Sequence, residues 1–253
     1  MAKRAMALDA LLFTQGFGTR RECLGLVQHG LVQIDGQVVD DPDLQVVPEG
    51  LVVRVQGVDW PYRERALVVL HKPKGYEVSR KPKHHPSVLS LLPPPLRQRD
   101  VQPVGRLDED TTGLLLLTDD GALIHRLTSP KRHVPKIYDV GCKHPVDETQ
   151  IARLLAGVKL VDDPATVQAA AATPMARSDE LYGLQLTLTD GKYHQVKRML
   201  AAVGNRVESL HRSGFGALRL PDDLPPGKWR WLSGPGVLMP AVAGDTADAA
   251  PAG

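Results

Sequence analysis

Four consecutive leucines at 114–117 constrain this chain more than any other feature. No surface loop needs such a run, so it belongs in a buried strand. Directly upstream stand Asp108, Glu109 and Asp110, a group that no core strand needs together. Residues 104–121, VGRLDEDTTGLLLLTDDG, therefore read as a carboxylate-bearing loop held rigid by the strand after it. Asp119-Asp120-Gly121 then turns the chain into a short helix over 122–128. A reactive group needs such a mounting, because a loose carboxylate loses binding energy to ordering.

The rest of the chain supplies the protein around that loop. Apolar content of 42% and charged content of 24% belong to a soluble globular protein, and with 4% aromatics the core must be Leu, Val and Ala. The longest apolar runs fall far short of the roughly 20 residues that cross a membrane. Asp9 and Gln15 interrupt the basic N-terminus and no small-residue cleavage site follows, so no signal peptide is expected. Cys23 and Cys142 lie far apart without metal-type spacing, which fits a reducing cytoplasm. The net charge of +2 is modest, but its distribution is not even. Five Lys/Arg lie in 71–85 against Glu77 alone, four in 126–136 against no acid, and five in 192–212 against Glu208. If these segments converge, they form a polyanion-binding face.

Residues 7–57 read as a small module. Leu8, Leu11 and Leu12 have helical spacing. Thr19 and Glu22 form a capping-box pattern for a second helix that Gly30 would end. Two short strands flank the Asp35-Gly36 turn, and 51–55 alternates as another strand. Arg20 and Arg21 open the second helix, where phosphate oxygens can also meet unpaired backbone N–H groups. Residues 58–65, with Pro61 and mixed charge, read as a linker. A larger domain follows over 66–240. It opens with a strand at 66–70 that runs into a turn at Pro73 and Gly75, then a Pro-rich basic surface loop over 79–99 with one short helix near 87–92. Asp147 with Gln150 caps a helix that Gly157 ends, and Leu184, Leu186 and Leu188 alternate as a strand. Val196, Met199, Leu200 and Val203 make an amphipathic helix with Lys197 and Arg198 beside its apolar stripe. The tail, 241–253, has no core-forming pattern and is expected to be disordered. The fold class is α+β: a small N-terminal α/β module plus a larger domain of mixed, mainly antiparallel sheet, with no internal repeat.

Asp108, Asp110, Thr112, Gly113 and Asp119 fall at positions 1, 3, 5, 6 and 12 of a calcium loop. That match lacks the bidentate Glu, puts Leu116 at a liganding position and has no entering helix past Pro103. Metalloprotease, P-loop and serine-hydrolase motifs are absent from the chain. Asp108 and Asp110 are close enough in sequence for a glycosidase-type carboxylate pair to be conceivable, but no second feature of the chain supports one.

Two resemblances assemble these pieces. The match at Leu8, Asp9, Gly16, Thr19, Arg20, Gly30, Val32, Asp35 and Gly36 resembles the small alpha-L RNA-binding domain, with Ala7 where Arg is usual. GRLDEDTTGLLLLTDDG resembles the signature of the small- and large-subunit ribosomal pseudouridine synthases. His71-Lys72-Pro73-Lys74-Gly75 resembles that family's upstream turn, with His71 where Asn is usual. Lys136-Ile137-Tyr138 and GKYHQVKRMLAAVG at 191–204 continue the likeness, whose wording is nearest to the enzymes acting on 16S rRNA.

The resemblance implies conversion of one uridine to pseudouridine in 16S rRNA, without redox change and hence without cofactor or metal. The same reaction on 23S rRNA and a non-catalytic RNA-binding protein are the alternatives. It makes Asp108 the catalytic carboxylate; attack at C1′, attack at the base and removal of a sugar proton all stay open to it. Lys197, or Arg198 if the register differs by one, would keep Asp108 ionised. Arg106 would fill the gap left by the flipped base or hold a phosphate, and Tyr138 would stack on that base. Arg20, Arg21, Lys72 and Lys74 would grip RNA. The expected partner is ribosomal RNA or a subunit assembly intermediate, bound by a cytoplasmic monomer with no membrane association.

Overall fold

The computed structural model describes residues 4–161, 165–176 and 180–239; the tail expected to be disordered lies outside them. Among the described residues no helix is long and apolar enough to cross a membrane.

In the N-terminal module, helix Leu8–Thr14 packs against helix Arg20–Gln28, which starts with the expected reciprocal Thr19–Glu22 box. Strands Val32–Ile34 and Gln37–Val39 pair across Asp35 and Gly36, both at positive φ (50° and 77°), as a primed hairpin turn demands. One boundary differs from the sequence reading. Residues 58–65 are not all linker: Val58–Pro61 is a strand paired antiparallel to Val52–Val55, and Trp60 on it is 4% exposed. The turn between them uses Gln56 and Gly57 at positive φ, and Gln gives little sign of that conformation. Pro61 closes the strand at its end, where a missing N–H costs no ladder bond.

The module is fastened to the larger domain. Trp60 meets Phe17 and Trp231 edge-on at 5.2 and 5.3 Å. Gln15 and the Arg63 backbone exchange two hydrogen bonds of 3.1 Å. Arg99 donates to Gln15 and to the carbonyls of Arg63 and Glu64, and pairs with Asp119 at 2.7 Å with little solvent access. One continuous apolar cluster runs from Leu8 and Trp60 to Leu115 and Leu117.

The large sheet follows the order Ala171–Met175, Tyr182–Leu188, Lys136–Cys142, Val207–Phe215, Thr112–Thr118, Leu67–Lys72, Trp229–Trp231. Along this path every pair is antiparallel except the short junction of Val207–Phe215 with Thr112–Thr118. The leucine run lies beside that junction and is buried on both faces. Leu115 and Leu117 join the cluster shared with the module, while Leu114 and Leu116 join a second one around Leu123, Leu127 and Phe215. A third cluster sits under helices Glu148–Ala156 and Gln195–Ala202. At the parallel junction Gly113 is paired with Arg212, and a Cβ on it would stand 2.3 Å from the Arg212 carbonyl oxygen. Only glycine lets the two backbones meet there. The basic segment 79–99 holds more order than expected: after the 3-10 turn Val88–Leu91 comes helix Pro94–Gln98, started by proline and anchored by fully buried Leu96.

Candidate active site

The acidic loop hangs from one buried lysine. Lys72 ends strand Leu67–Lys72 and is 0% exposed. Its ammonium donates to the carbonyls of Pro73 (3.1 Å), Glu109 (2.9 Å) and Thr111 (2.8 Å). Thr111 N–H also donates to the Asp108 carbonyl at 3.2 Å, and Gly75 N–H to that of Glu109 at 3.1 Å. Three carbonyls on one cation fix a backbone that has no regular partner. Burial pushes the Lys72 ammonium down to about 8, against the opposing pull of Glu109, Asp110 and Asp108.

The side chain of Asp108 faces two basic groups. Its Oδ1 lies 3.3 Å from His194 Nε2 and its Oδ2 3.5 Å from Lys197 Nζ. Lys197 is closer to Asp110, at 2.7 and 2.8 Å from its two oxygens, and so bridges both carboxylates. Burial pulls the Lys197 ammonium down, but its hydrogen bond to Asp110 and the charges of Asp110 and Asp108 outweigh that and raise it. Burial likewise pushes Asp110 up, yet the Lys197 bond and charge hold its carboxyl below the usual range. Lys197 sits in the first turn of helix Gln195–Ala202. Buried Gln195 ties that end down by donating to Asp190 Oδ1 at 2.6 Å and accepting from Lys192 N–H at 2.7 Å.

Asp108 opens onto a cavity of about 370 Å³, lined also by Arg106, Tyr138, Tyr193, His194 and Lys197. That volume lies within the range of small-ligand sites. Tyr138 stands on strand Lys136–Cys142 at a register shift beside Ile137, half-buried, where a bulge re-aims the side chain. Across Lys197 lies a wider cleft of about 570 Å³ that Lys74 and Asp110 border.

The sequence model for RNA pseudouridylate synthase matches residues 66–202, and the S4 domain model matches residues 6–52. The chain belongs to the RNA pseudouridylate synthase family. It is 40% identical over 228 residues to an uncharacterized RNA pseudouridine synthase of Bacillus subtilis, covering 90% of this chain and 95% of that one. It is 40% identical over 232 residues to the ribosomal small subunit pseudouridine synthase A of Yersinia pestis, with 90% and 95% covered. For the protein of that name in Escherichia coli the identity is 36% over 229 residues, with 90% and 96% covered. A crystal structure of a pseudouridylate synthase aligns with a TM-score of 0.61 at 34% identity, over 90% of this chain and 96% of that one. The chain is thus an isomerase of the pseudouridine synthase type.

Within this synthase the structure brings together Asp108, Arg106, Tyr138 and Lys197, while Lys74 lies exposed at the neighbouring cleft. Two expectations are corrected. Lys72 is no RNA contact: it is sealed inside the domain with its ammonium given to three carbonyls, because the strand continues two residues past 70, to Lys72 itself. Arg198 does not substitute for Lys197; its guanidinium turns away to the carbonyls of Tyr193 and Val161. One helical step is about 100°, which is enough to move a side chain off the site. Arg20 and Arg21 are exposed in the first turn of their helix, Arg20 lying 4.5 Å from the centre of the Phe13 ring.

The calcium alignment also dissolves. Thr112–Thr118 is extended, so Asp119 lies at the far end of the strand from Asp108, held by Arg99 and Ala66 N–H. Among the described residues no three His, Cys, Asp or Glu side chains gather to hold a metal. His194 and the Asp110–Lys197 pair went unread in sequence. His194 lay in plain view beside Lys197, but its reach to Asp108 depends on a left-handed backbone (φ 48°, ψ 33°) that sequence does not announce.

Lys197→Met separates chemistry from stability. The Lys197–Asp110 pair is partly exposed, so its loss costs under about 1 kcal/mol at neutral pH. Lys197 lowers the folded-state value of Asp110, so the pair stabilises above the unfolded carboxyl value of 3.8 and stops doing so as pH falls through the lowered one. Urea unfolding of the two proteins should therefore differ at pH 7 and converge in acid. The turnover of the variant should fall by roughly 10²-fold or more; near-normal turnover would remove Lys197 from the site.

Proposed function

We propose that this chain converts a uridine of 16S rRNA to pseudouridine, with Asp108 as the catalytic carboxylate. The observation that carries the reading is Asp108 at the edge of a nucleoside-sized cavity, flanked by His194 and Lys197, with Tyr138 among the lining residues. The names of the Yersinia pestis and Escherichia coli relatives support the small ribosomal subunit as target.

The reaction breaks N1–C1′ and joins C5 to C1′; C5 loses a proton and N1 gains one. Atoms and electrons balance within the nucleotide. What the enzyme must supply is a flipped base, a charged group at the reacting sugar or base, and positioning. Flipping costs a few kcal/mol, and stacking on Tyr138 returns roughly 1–3 kcal/mol. Arg106 is exposed beside Asp108, suited to hold a phosphate or fill the vacated stack. Lys197 lies between the carboxylates of Asp108 and Asp110 and offsets their mutual repulsion. Lys74 and the N-terminal module with Arg20 and Arg21 grip the flanking RNA backbone, a contribution that fades with salt. A single chain carries all of these groups, in keeping with a monomeric enzyme of the cytoplasm.

The test is to map pseudouridine in the ribosomal RNA of a strain lacking this gene. One 16S position should revert to uridine and return with the gene. Loss of a 23S site instead would overturn the assignment.

A further inference from the structure

Beside the Asp108 cavity lies a second groove of about 680 Å³. Asp108 and Arg106 border both spaces, and so do Tyr193 and His194. The far wall is the basic loop that carries Lys81 and Lys83. That loop is built, not loose. The Glu77 carboxylate accepts the backbone N–H groups of Lys83 (3.0 Å), His84 (2.7 Å) and His85 (2.9 Å), and Ser79 accepts from Lys81 N–H at 3.0 Å. Those backbone bonds hold the Glu77 carboxyl down at about 2, so this anchor persists across physiological pH.

The near wall is a pair of rings. Tyr193 and His194 stack with centroids 3.7 Å apart and planes 21° from parallel. Side chains of consecutive residues ordinarily diverge. Here the left-handed backbone at His194 folds the second ring under the first and sends its Nε2 to Asp108. Such a conformation persists only where the surroundings enforce it, and it collects at functional sites. Tyr193 is nevertheless 68% exposed, a large aromatic left open to water beside the reacting carboxylate. No core packing explains it.

We infer that the Tyr193–His194 pair is a stacking platform for a nucleobase adjoining the target uridine, with Lys81 and Lys83 taking the phosphates that flank it. This rests on the reading of the chain as an RNA-modifying isomerase. A base is the ligand that fits: every base offers a π-face, and aromatic platforms with nearby cations are how single-stranded nucleic acid is held. The placement also ties recognition to chemistry. The ring under the platform is the one that touches Asp108, so a seated neighbour braces His194 against the carboxylate.

The test uses the full-length enzyme and a 16S rRNA fragment spanning the target, with affinity and turnover measured on the same RNA. Tyr193→Ala should weaken affinity and raise KM by about tenfold or more, with a smaller change in kcat. Tyr193→Phe, which keeps the ring, should restore both. An abasic nucleotide beside the target should weaken the wild type to a similar degree and leave Tyr193→Ala little changed, since the two lesions remove one contact. Melting curves of the variants check that this surface substitution leaves the fold intact. Unchanged affinity in Tyr193→Ala overturns the platform. So does a Tyr193→Phe variant as weak as Tyr193→Ala, which would make the hydroxyl, and hence a phosphate contact, the active group. If the wild type binds the fragment but forms no pseudouridine, the activity reading fails, while the affinity arm still decides the platform.

Discussion

Asp108→Asn should abolish pseudouridine formation and leave RNA binding intact. The substitution keeps the size and shape of the side chain and removes one charge. Neither His194 at 3.3 Å nor Lys197 at 3.5 Å then has an anion at this position to balance. Loss of a group that acts directly on the reacting atoms costs on the order of 10⁴-fold or more in turnover. Affinity should hold or tighten slightly, because a negative charge has been taken away from a polyanion's path. Single-turnover assays with radiolabelled RNA, alongside filter binding, measure both. Asp110→Asn is the control: it disturbs the Lys197 pair without touching the cavity lined by Asp108, so its loss should be much smaller. Turnover in Asp108→Asn within tenfold of wild type would move the chemistry elsewhere.

Lys72→Met should be the most destabilising single change near the site. Methionine keeps the length and the apolar stem, so the substitution isolates the ammonium. The carbonyls of Pro73, Glu109 and Thr111 lose their common donor in a place water does not reach. Buried acceptors left unpaired cost about 1–3 kcal/mol each, which puts the loss at roughly 3–5 kcal/mol after relaxation. For a chain of this size that lowers the melting temperature by about 10 °C. Activity should fall with it, because the backbone that aims Asp108 is no longer held.

The pH dependence has a definite sign. Burial depresses Lys72 in the folded state to about 8 from the ordinary 10.5. Between those values the unfolded chain binds the extra proton, so this group makes stability rise with pH across that window. Below the folded value it contributes a constant penalty, on the order of 3 kcal/mol at most. The difference in unfolding free energy between wild type and Lys72→Met should therefore grow from pH 8 towards pH 10. A flat difference would mean that Lys72 titrates normally and is not buried as a cation.

Much of this was legible along the chain because local rules decided it. The Thr19–Glu22 and Asp147–Gln150 boxes, the Asp35-Gly36 turn and the Gln195–Ala202 stripe are all set by residues no more than about four apart. Side chains and backbone groups that close in sequence meet whatever the rest of the molecule does. Where that condition fails, the local pattern does not determine the structure. Gln56 adopts a turn conformation its side chain does not advertise, and so the last strand of the module read as linker. Lys72 and Lys74 looked alike as basic residues of one turn, yet one is sealed in the core and the other exposed. Lys197 and Arg198 were a pair until the helix direction separated them.

The leucine run and the acids before it determined by themselves that a carboxylate loop would be mounted on a buried strand, since four leucines have nowhere else to go. The signature around them carried the family. Which carboxylate faces which cation was decided only in three dimensions. His194 and Lys197 reach Asp108 from more than 80 residues away in sequence, across a parallel junction that exists because Gly113 lets the Arg212 backbone approach. Lys72 reaches the loop from 37 residues upstream of Glu109. Contacts of that span depend on the sum of every strand pairing between them, and no short window of sequence contains that sum.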